Sequence, residues 1–252
     1  MIDITSAKGN VKAYEARPEG EGKGGVIVIH EVWGLVDHTK DVADRLAREG
    51  YVVLAPDLLG DAMDVAAAGE LQEDLFSPDP EKRNKVQPKL RELTAPIHNP
   101  VFGADTVARI KGCFDYLYSQ PDTNKRIAIM GFCFGGSYSF SFAVNEPRLK
   151  LALPFYGHAN FTAKELQAIK CPVRAFLGEN DEGLMKGLPE LQEKMHEAGV
   201  DFEAKVYPNC GHAFFNNTNK YAYNEAAATD SWQRVVEYLR QYVSSNDRPG
   251  RL

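Results

Sequence analysis

Arg126-Ile127-Ala128-Ile129-Met130-Gly131-Phe132-Cys133-Phe134-Gly135-Gly136 is the stretch on which the fold reading turns. A short apolar run without strict alternation suits a strand buried on both faces. It leads directly into a G-x-C-x-G-G sequence, and helical spacing follows over Gly136–Asn145. A reactive side chain at such a strand-to-helix turn is held in strained backbone. Its neighbours must therefore be small enough for strand and helix to approach, and Gly131, Gly135 and Gly136 meet that need. The sulfur of Cys133 is expected at the carboxyl end of the sheet, where the helix N-terminus offers free N–H groups and partial positive charge to a thiolate.

Similar apolar runs occur at Gly25–His30, Tyr51–Ala55, Leu151–Tyr156 and Val173–Gly178, with a further strand expected at Phe202–Tyr207. Helical spacing falls between them, at Asp37–Arg48, Ala104–Ser119, Leu184–Ala198 and Asn224–Val243. Parallel strands need crossover connections, so this alternation predicts an α/β fold: a mostly parallel central sheet with helices on both faces. Ligands should then collect at the carboxyl ends of the strands. The stretch from 61 to 102 is polar, is punctuated by Pro78, Pro80, Pro88, Pro96 and Pro100, and reads as a cap-like excursion. With no repeat or linker elsewhere, residues 1–252 read as one domain.

Composition narrows the function. The 252 residues are 44% hydrophobic with a formal net charge of −6. No Lys/Arg run offsets that charge locally, so neither nucleic acid nor an anionic membrane is an expected partner. The start of the chain lacks the pattern of a secretory leader, and no apolar run approaches the length of a membrane span, so the cytoplasm is the expected location. The cysteines at 113, 133, 171 and 210 form neither a C-x-x-C pair nor a disulfide framework.

A nucleophile needs a base and a group to orient it, and in this kind of fold they follow in the order nucleophile, acid, histidine. Glu179-Asn180-Asp181-Glu182-Gly183 follows the run Val173–Gly178, and Pro208-Asn209-Cys210-Gly211-His212 follows Phe202–Tyr207. His212 is therefore the expected base, and Asp181 the chosen orienter among three acids, with Glu179 and Glu182 still open. The oxyanion hole is expected to combine the N–H groups of Val32 and Phe134. His30-Glu31 begins like H-E-x-x-H, but Gly34 stands where the second histidine would be, so no metal site and no cofactor are expected.

Over about residues 24–243 the sequence resembles the dienelactone hydrolase (carboxymethylenebutenolidase) family. The likeness rests on His30-Glu31-Val32-Trp33-Gly34-Leu35, Ala55-Pro56-Asp57-Leu58, the cysteine turn, Gly178–Asp181 and Gly211-His212-Ala213-Phe214. It implies an α/β-hydrolase fold, a small-molecule ester or lactone substrate, and a role for Glu31 in holding the resting cysteine and taking its proton when substrate binds. In the family an arginine four residues after the histidine binds a substrate carboxylate, and the residue next to the histidine is often serine. Here those positions are Asn216 and Ala213. Arg83 is the candidate for a second family arginine. Losing one bidentate clamp weakens carboxylate recognition, so neutral or weakly charged small esters are expected. Trp33, Tyr156 and Phe214 are expected either to wall an apolar pocket or, equally, to belong to the core.

The chain is expected to act as a monomer or small homo-oligomer. A glutamine amidotransferase-like chemistry fits less well, because Phe214 stands where that chemistry has glutamate two places after the histidine. A thioesterase would use the same triad, a thiolate could also attack neutral phosphate triesters, and a binding module that has kept the fold but lost catalysis is the non-enzymatic rival.

Overall fold

The computed structural model describes residues 1–244. In chain order its strands are β1 (Ile2–Ser6), β2 (Gly9–Ala16), β3 (Gly25–Ile29), β4 (Val52–Pro56), β5 (Ile127–Phe132), β6 (Leu151–Phe155), β7 (Val173–Gly178) and β8 (Phe202–Tyr207). They form one sheet in the order β1-β2-β4-β3-β5-β6-β7-β8. β1 pairs antiparallel with β2, and β2 pairs antiparallel with β4; every other pairing is parallel. The expected α/β architecture is present. The N-terminal antiparallel hairpin is an addition, because two short, half-exposed strands leave little periodicity to read.

The helices are α1 (Asp37–Arg48), α2 (Val65–Glu70), α3 (Gln72–Leu75), α4 (Pro80–Thr94), α5 (Pro100–Ser119), α6 (Phe134–Asn145), α7 (Ala163–Leu166), α8 (Glu182–Glu197) and α9 (Glu225–Tyr242). α5 starts four residues before the expected Ala104: Asn99 accepts from the Val101 N–H at 2.8 Å, and Pro100 occupies a position where its missing N–H costs nothing. α6 starts two residues before the expected Gly136, immediately after the cysteine.

β3 to β7 are buried along their whole length, and alternate side chains divide between two cores. Val26, Val28, Met130 and Phe155 pack on one face with Val42 and Leu46 of α1 and Val235 and Leu239 of α9. Ile27, Ile29, Ile127 and Ile129 pack on the other with Ile110 and Phe114 of α5 and Phe140 of α6. Truncating a fully buried member such as Ile29 to alanine costs about 2–5 kcal/mol, counting lost transfer energy and the cavity left behind. This two-sided burial anchors β5 and α6 rigidly around the cysteine turn.

The polar excursion is not irregular but folds into α2, α3, α4 and a 3-10 turn at Ala95–His98. Asp64 and Asp79 cap α2 and α4 through the N–H groups of Ala67 and Glu81. α4 buries only Val86 and Thr94. The cap meets the body through an edge-on contact of Phe76 with Trp33, at 6.4 Å between ring centroids, and an exposed Glu73–Lys220 ion pair of 2.6 Å.

Candidate active site

The cysteine turn has the strain expected of it. Cys133 sits at φ 53° and ψ −109°, a left-handed conformation that costs a residue with a Cβ about 1–3 kcal/mol. Neighbouring contacts hold it there. The Cys133 N–H donates to the Phe155 carbonyl at 3.0 Å, the Gly135 N–H to the His30 carbonyl at 3.2 Å, and the Ser137 N–H to the Cys133 carbonyl at 3.0 Å. A Cβ at Gly131 would strike the Gly135 carbonyl, and one at Gly135 would strike the Ile29 carbonyl. The glycines therefore permit β3, β5 and α6 to meet closely enough to hold the turn.

Loops at the ends of β7 and β8 bring the expected acid and base together. Asp181 is the N-cap residue of α8, and its Oδ2 lies 2.5 Å from Nδ1 of His212. The two loops are laced by backbone hydrogen bonds from Glu179 to Tyr207 (3.0 Å) and from Asn180 to Cys210 (2.8 Å). A side chain at Gly178 would collide with the Cys210 and Gly211 carbonyls. The choice among three acids is decided by contact: Glu179 Oε2 accepts from the Asn209 N–H at 3.1 Å, Glu182 is exposed in the first turn of α8, and Asp181 alone of the three bonds the histidine.

Burial of the imidazole opposes its positive charge. The negative charge and hydrogen bonding of Cys133, with the hydrogen bond and charge of Asp181, outweigh burial and raise the His212 pKa well above the usual histidine value. The Nδ1–H donates to Asp181, which leaves Nε2 as the ring nitrogen open to a second partner. Tyr156 lies against the ring at 5.1 Å between centroids.

The expected oxyanion donors are free. Among the described residues neither the Val32 N–H nor the Phe134 N–H has an acceptor within the protein. Phe134 lies at the start of α6, its ring stacked on His30 at 5.7 Å and flanked by Phe102 at 6.4 Å.

With this geometry in view, the similarities to known proteins are informative. A model described as "Dienelactone hydrolase family" matches residues 11–243. The chain belongs to the dienelactone hydrolase family. A protein of Saccharolobus solfataricus named "Putative carboxymethylenebutenolidase" is 36% identical over 257 residues, covering 96% of this chain and 97% of that one. Among solved structures, one titled as a "Putative Dienelactone Hydrolase" from Klebsiella pneumoniae superposes with a TM-score of 0.79 at 26% identity, covering 95% of this chain and 97% of the other. A dienelactone hydrolase-like promiscuous phosphotriesterase from metagenomic libraries gives a TM-score of 0.74 at 21% identity, covering 96% of each chain. The fold is thus the α/β-hydrolase fold, and the chain is a hydrolase of the ester and lactone class.

Within this dienelactone hydrolase frame several expectations are corrected. Asn216 is 1% exposed and faces the protein: its Nδ2 donates to Glu31 Oε2 at 2.8 Å, and its Oδ1 accepts from the N–H (3.0 Å) and hydroxyl (2.7 Å) of Thr218. With its amide spent this way, it supports Glu31 rather than lining the pocket. Phe214 is fully buried among Tyr156, Tyr207 and Phe155, so it is core rather than pocket wall. Tyr156 is also fully buried, and its hydroxyl donates to Glu31 Oε1 at 3.2 Å. Burial, together with the charges of Glu31 and Cys133, pushes its pKa well above the ordinary tyrosine value and keeps that proton in place. Arg83 lies in the cap, where Nη1 donates to the Ser77 carbonyl at 2.6 Å.

Glu31 is thus clamped by two neutral donors. Among the described residues no hydrogen bond joins it to Cys133. Both ring nitrogens of His30 are occupied, Nδ1 by the Glu31 carbonyl at 2.7 Å and Nε2 by the Leu58 N–H at 3.1 Å. Sequence reasoning missed Phe76 and Phe102. Neither carries a local signal, since each meets its ring partner, Trp33 for Phe76 and Phe134 for Phe102, only through tertiary contact.

Proposed function

We propose that this dienelactone hydrolase family member cleaves neutral carboxylic esters and lactones through Cys133, His212 and Asp181 by way of a thioester acyl-enzyme. The observation that carries the reading is the 2.5 Å Asp181–His212 hydrogen bond, together with the strained strand-to-helix turn that holds Cys133. The sulfur attacks the carbonyl carbon, and the oxyanion is received by the Val32 and Phe134 N–H groups. His212 gives its proton to the departing alkoxide, which leaves the acyl group on sulfur. Water then loses a proton to His212 as its oxygen attacks the thioester carbonyl. The new carboxylic acid departs, and the proton on His212 is shared again with sulfur. In a lactone the alkoxide stays tethered to the acyl group, so one ring-opened hydroxy acid leaves.

Neutral substrates are favoured because Glu31 is a buried carboxylate that meets no Lys or Arg among the described residues, and because Asn216 replaces the family's arginine without supplying a charge. Glu31 remains the candidate that takes the proton of a resting thiol when substrate binds; His212 carries the separate proton passed to the alkoxide, and Glu31 returns its own to sulfur after the acid departs. Trp33 walls the apolar side of the pocket, and Arg83 is the cap residue available to an anionic substituent. The free thiols suit a reducing compartment, and among the described residues no helix is long and apolar enough to cross a membrane, so we assign the protein to the cytoplasm.

The test is rapid mixing with p-nitrophenyl acetate. A burst of nitrophenolate stoichiometric with enzyme, and an acetyl adduct on the Cys133 peptide, are expected. Cys133→Ala and His212→Ala should each lower turnover by several orders of magnitude with folding retained; full turnover in Cys133→Ala overturns the reading. A second reading, attack on neutral phosphate triesters, draws on the same thiol and on the structural similarity to the promiscuous phosphotriesterase. It predicts slow, Cys133-dependent release of p-nitrophenol from paraoxon above the buffer rate.

A further inference from the structure

A cavity of about 120 Å³ lies beside the triad without touching its side chains, between α8, α6 and the loop that follows β6. Its floor is apolar, made of Phe140, Leu177, Leu184 and Leu191, and its mouth carries His158, Asn160 and Lys194. The space is somewhat smaller than the roughly 150 Å³ of an enclosed, wholly apolar cavity that holds a benzene ring, and unlike that cavity it opens to solvent and carries polar as well as apolar lining. Two glycines of α8, Gly183 and Gly187, stand at its edge, and a Cβ added at either would meet no atom within 4 Å outside its own stretch of helix. Glycine is a poor choice inside an exposed helix, and at these two positions it leaves the mouth open.

The rim also indicates the charge of the occupant. Lys194 is already neutralised by Glu190, with Nζ–Oε1 at 2.6 Å, so the mouth offers hydrogen bonding without net charge. We propose that this cavity is a second ligand site, separate from the triad, for a neutral molecule of about the bulk of one benzene ring carrying a hydroxyl or ester oxygen. The ring lies on the leucine and phenylalanine floor, and the oxygen faces Asn160 and His158. An alcohol released from a small aromatic ester has this chemistry. The site is connected to the catalytic groups, because α8 begins at Asp181 and Leu184 packs into the core that holds Phe155 and Tyr156.

Benzyl alcohol is the probe, titrated into full-length ¹⁵N-labelled protein while amide shifts are followed. Saturable shifts centred on Gly157, Gly183 and Gly187 are expected. They should persist in Cys133→Ser and be at least tenfold weaker in Gly187→Leu, whose side chain closes the mouth. Gly187→Ala, which should fold at least as well as the parent chain, should weaken binding by a smaller factor. Unaltered binding in both glycine variants, shifts centred on Phe134 and Ala213, or no saturable shift overturns the site. None of these outcomes bears on the acetyl adduct at Cys133, so the ligand site and the hydrolase reading fail separately.

Discussion

His212 gathers its unusual basicity from two neighbours, and each can be removed alone. Asp181→Asn deletes one charge and changes one hydrogen bond while leaving the sulfur in place. The His212 titration, followed through its imidazole carbon-bound proton, should move to lower pH, and turnover should fall by a factor of about 10²–10⁴, as when an orienting carboxylate is lost from a triad. An unmoved titration would show that the 2.5 Å contact does not govern the ring. The sign for stability follows from a raised folded-state pKa. The contribution of His212 is complete below about pH 6.5, where the unfolded chain is also protonated, and is lost as pH rises through the higher folded value.

Glu31 gives a second test at one side chain. Glu31→Gln keeps the shape that Tyr156 and Asn216 hold but removes the charge. Turnover on p-nitrophenyl acetate should drop sharply with thermal stability nearly unchanged; equal kinetics would remove Glu31 from the reaction.

The turn between β5 and α6 and the cap formed by α2 to α4 behave oppositely. At the turn, glycine is demanded by contact, so Gly135→Ala forces a methyl group against the Ile29 carbonyl. It should destabilise the protein by about 1–3 kcal/mol or more, the cost of overpacking, measurable by urea denaturation. The cap tolerates change. The Glu73–Lys220 pair is exposed on both sides, so Lys220→Ala should shift stability by less than about 1 kcal/mol. The α4 helix buries little and derives its shape from its Asp79 cap and from neighbouring cap helices more than from the sheet, which fits a cover over the site.

For the molecule as a whole, the balance of charge decides what reaches the site. The net charge of −6 and a buried Glu31 that pairs with no Lys or Arg among the described residues both oppose anions. Paired substrates, a neutral aryl acetate and its carboxylate-bearing analogue, should differ in kcat/KM by at least tenfold in favour of the neutral one. Asn216→Arg, which puts a cation at the family's arginine position, should narrow that gap. A wild-type enzyme that prefers the anionic analogue would overturn the charge argument.

Alternation of short apolar runs with helical segments was enough to foresee the parallel part of the sheet, because strands buried on both faces must be apolar throughout and crossovers must intervene. The cysteine turn and the order Cys133, Asp181, His212 were legible for the same reason: glycine spacing and strand ends are local features. The structure alone decided which of three acids meets the histidine, because Glu179, Asp181 and Glu182 differ only in direction, and direction is set by backbone hydrogen bonds to a loop some thirty residues away. It also turned Asn216 and Phe214 inward and folded the proline-containing excursion into helices. Local sequence specifies which residues can form an element. Which face each side chain finally presents depends on partners remote in the chain, and those exist only once the sheet has closed around them.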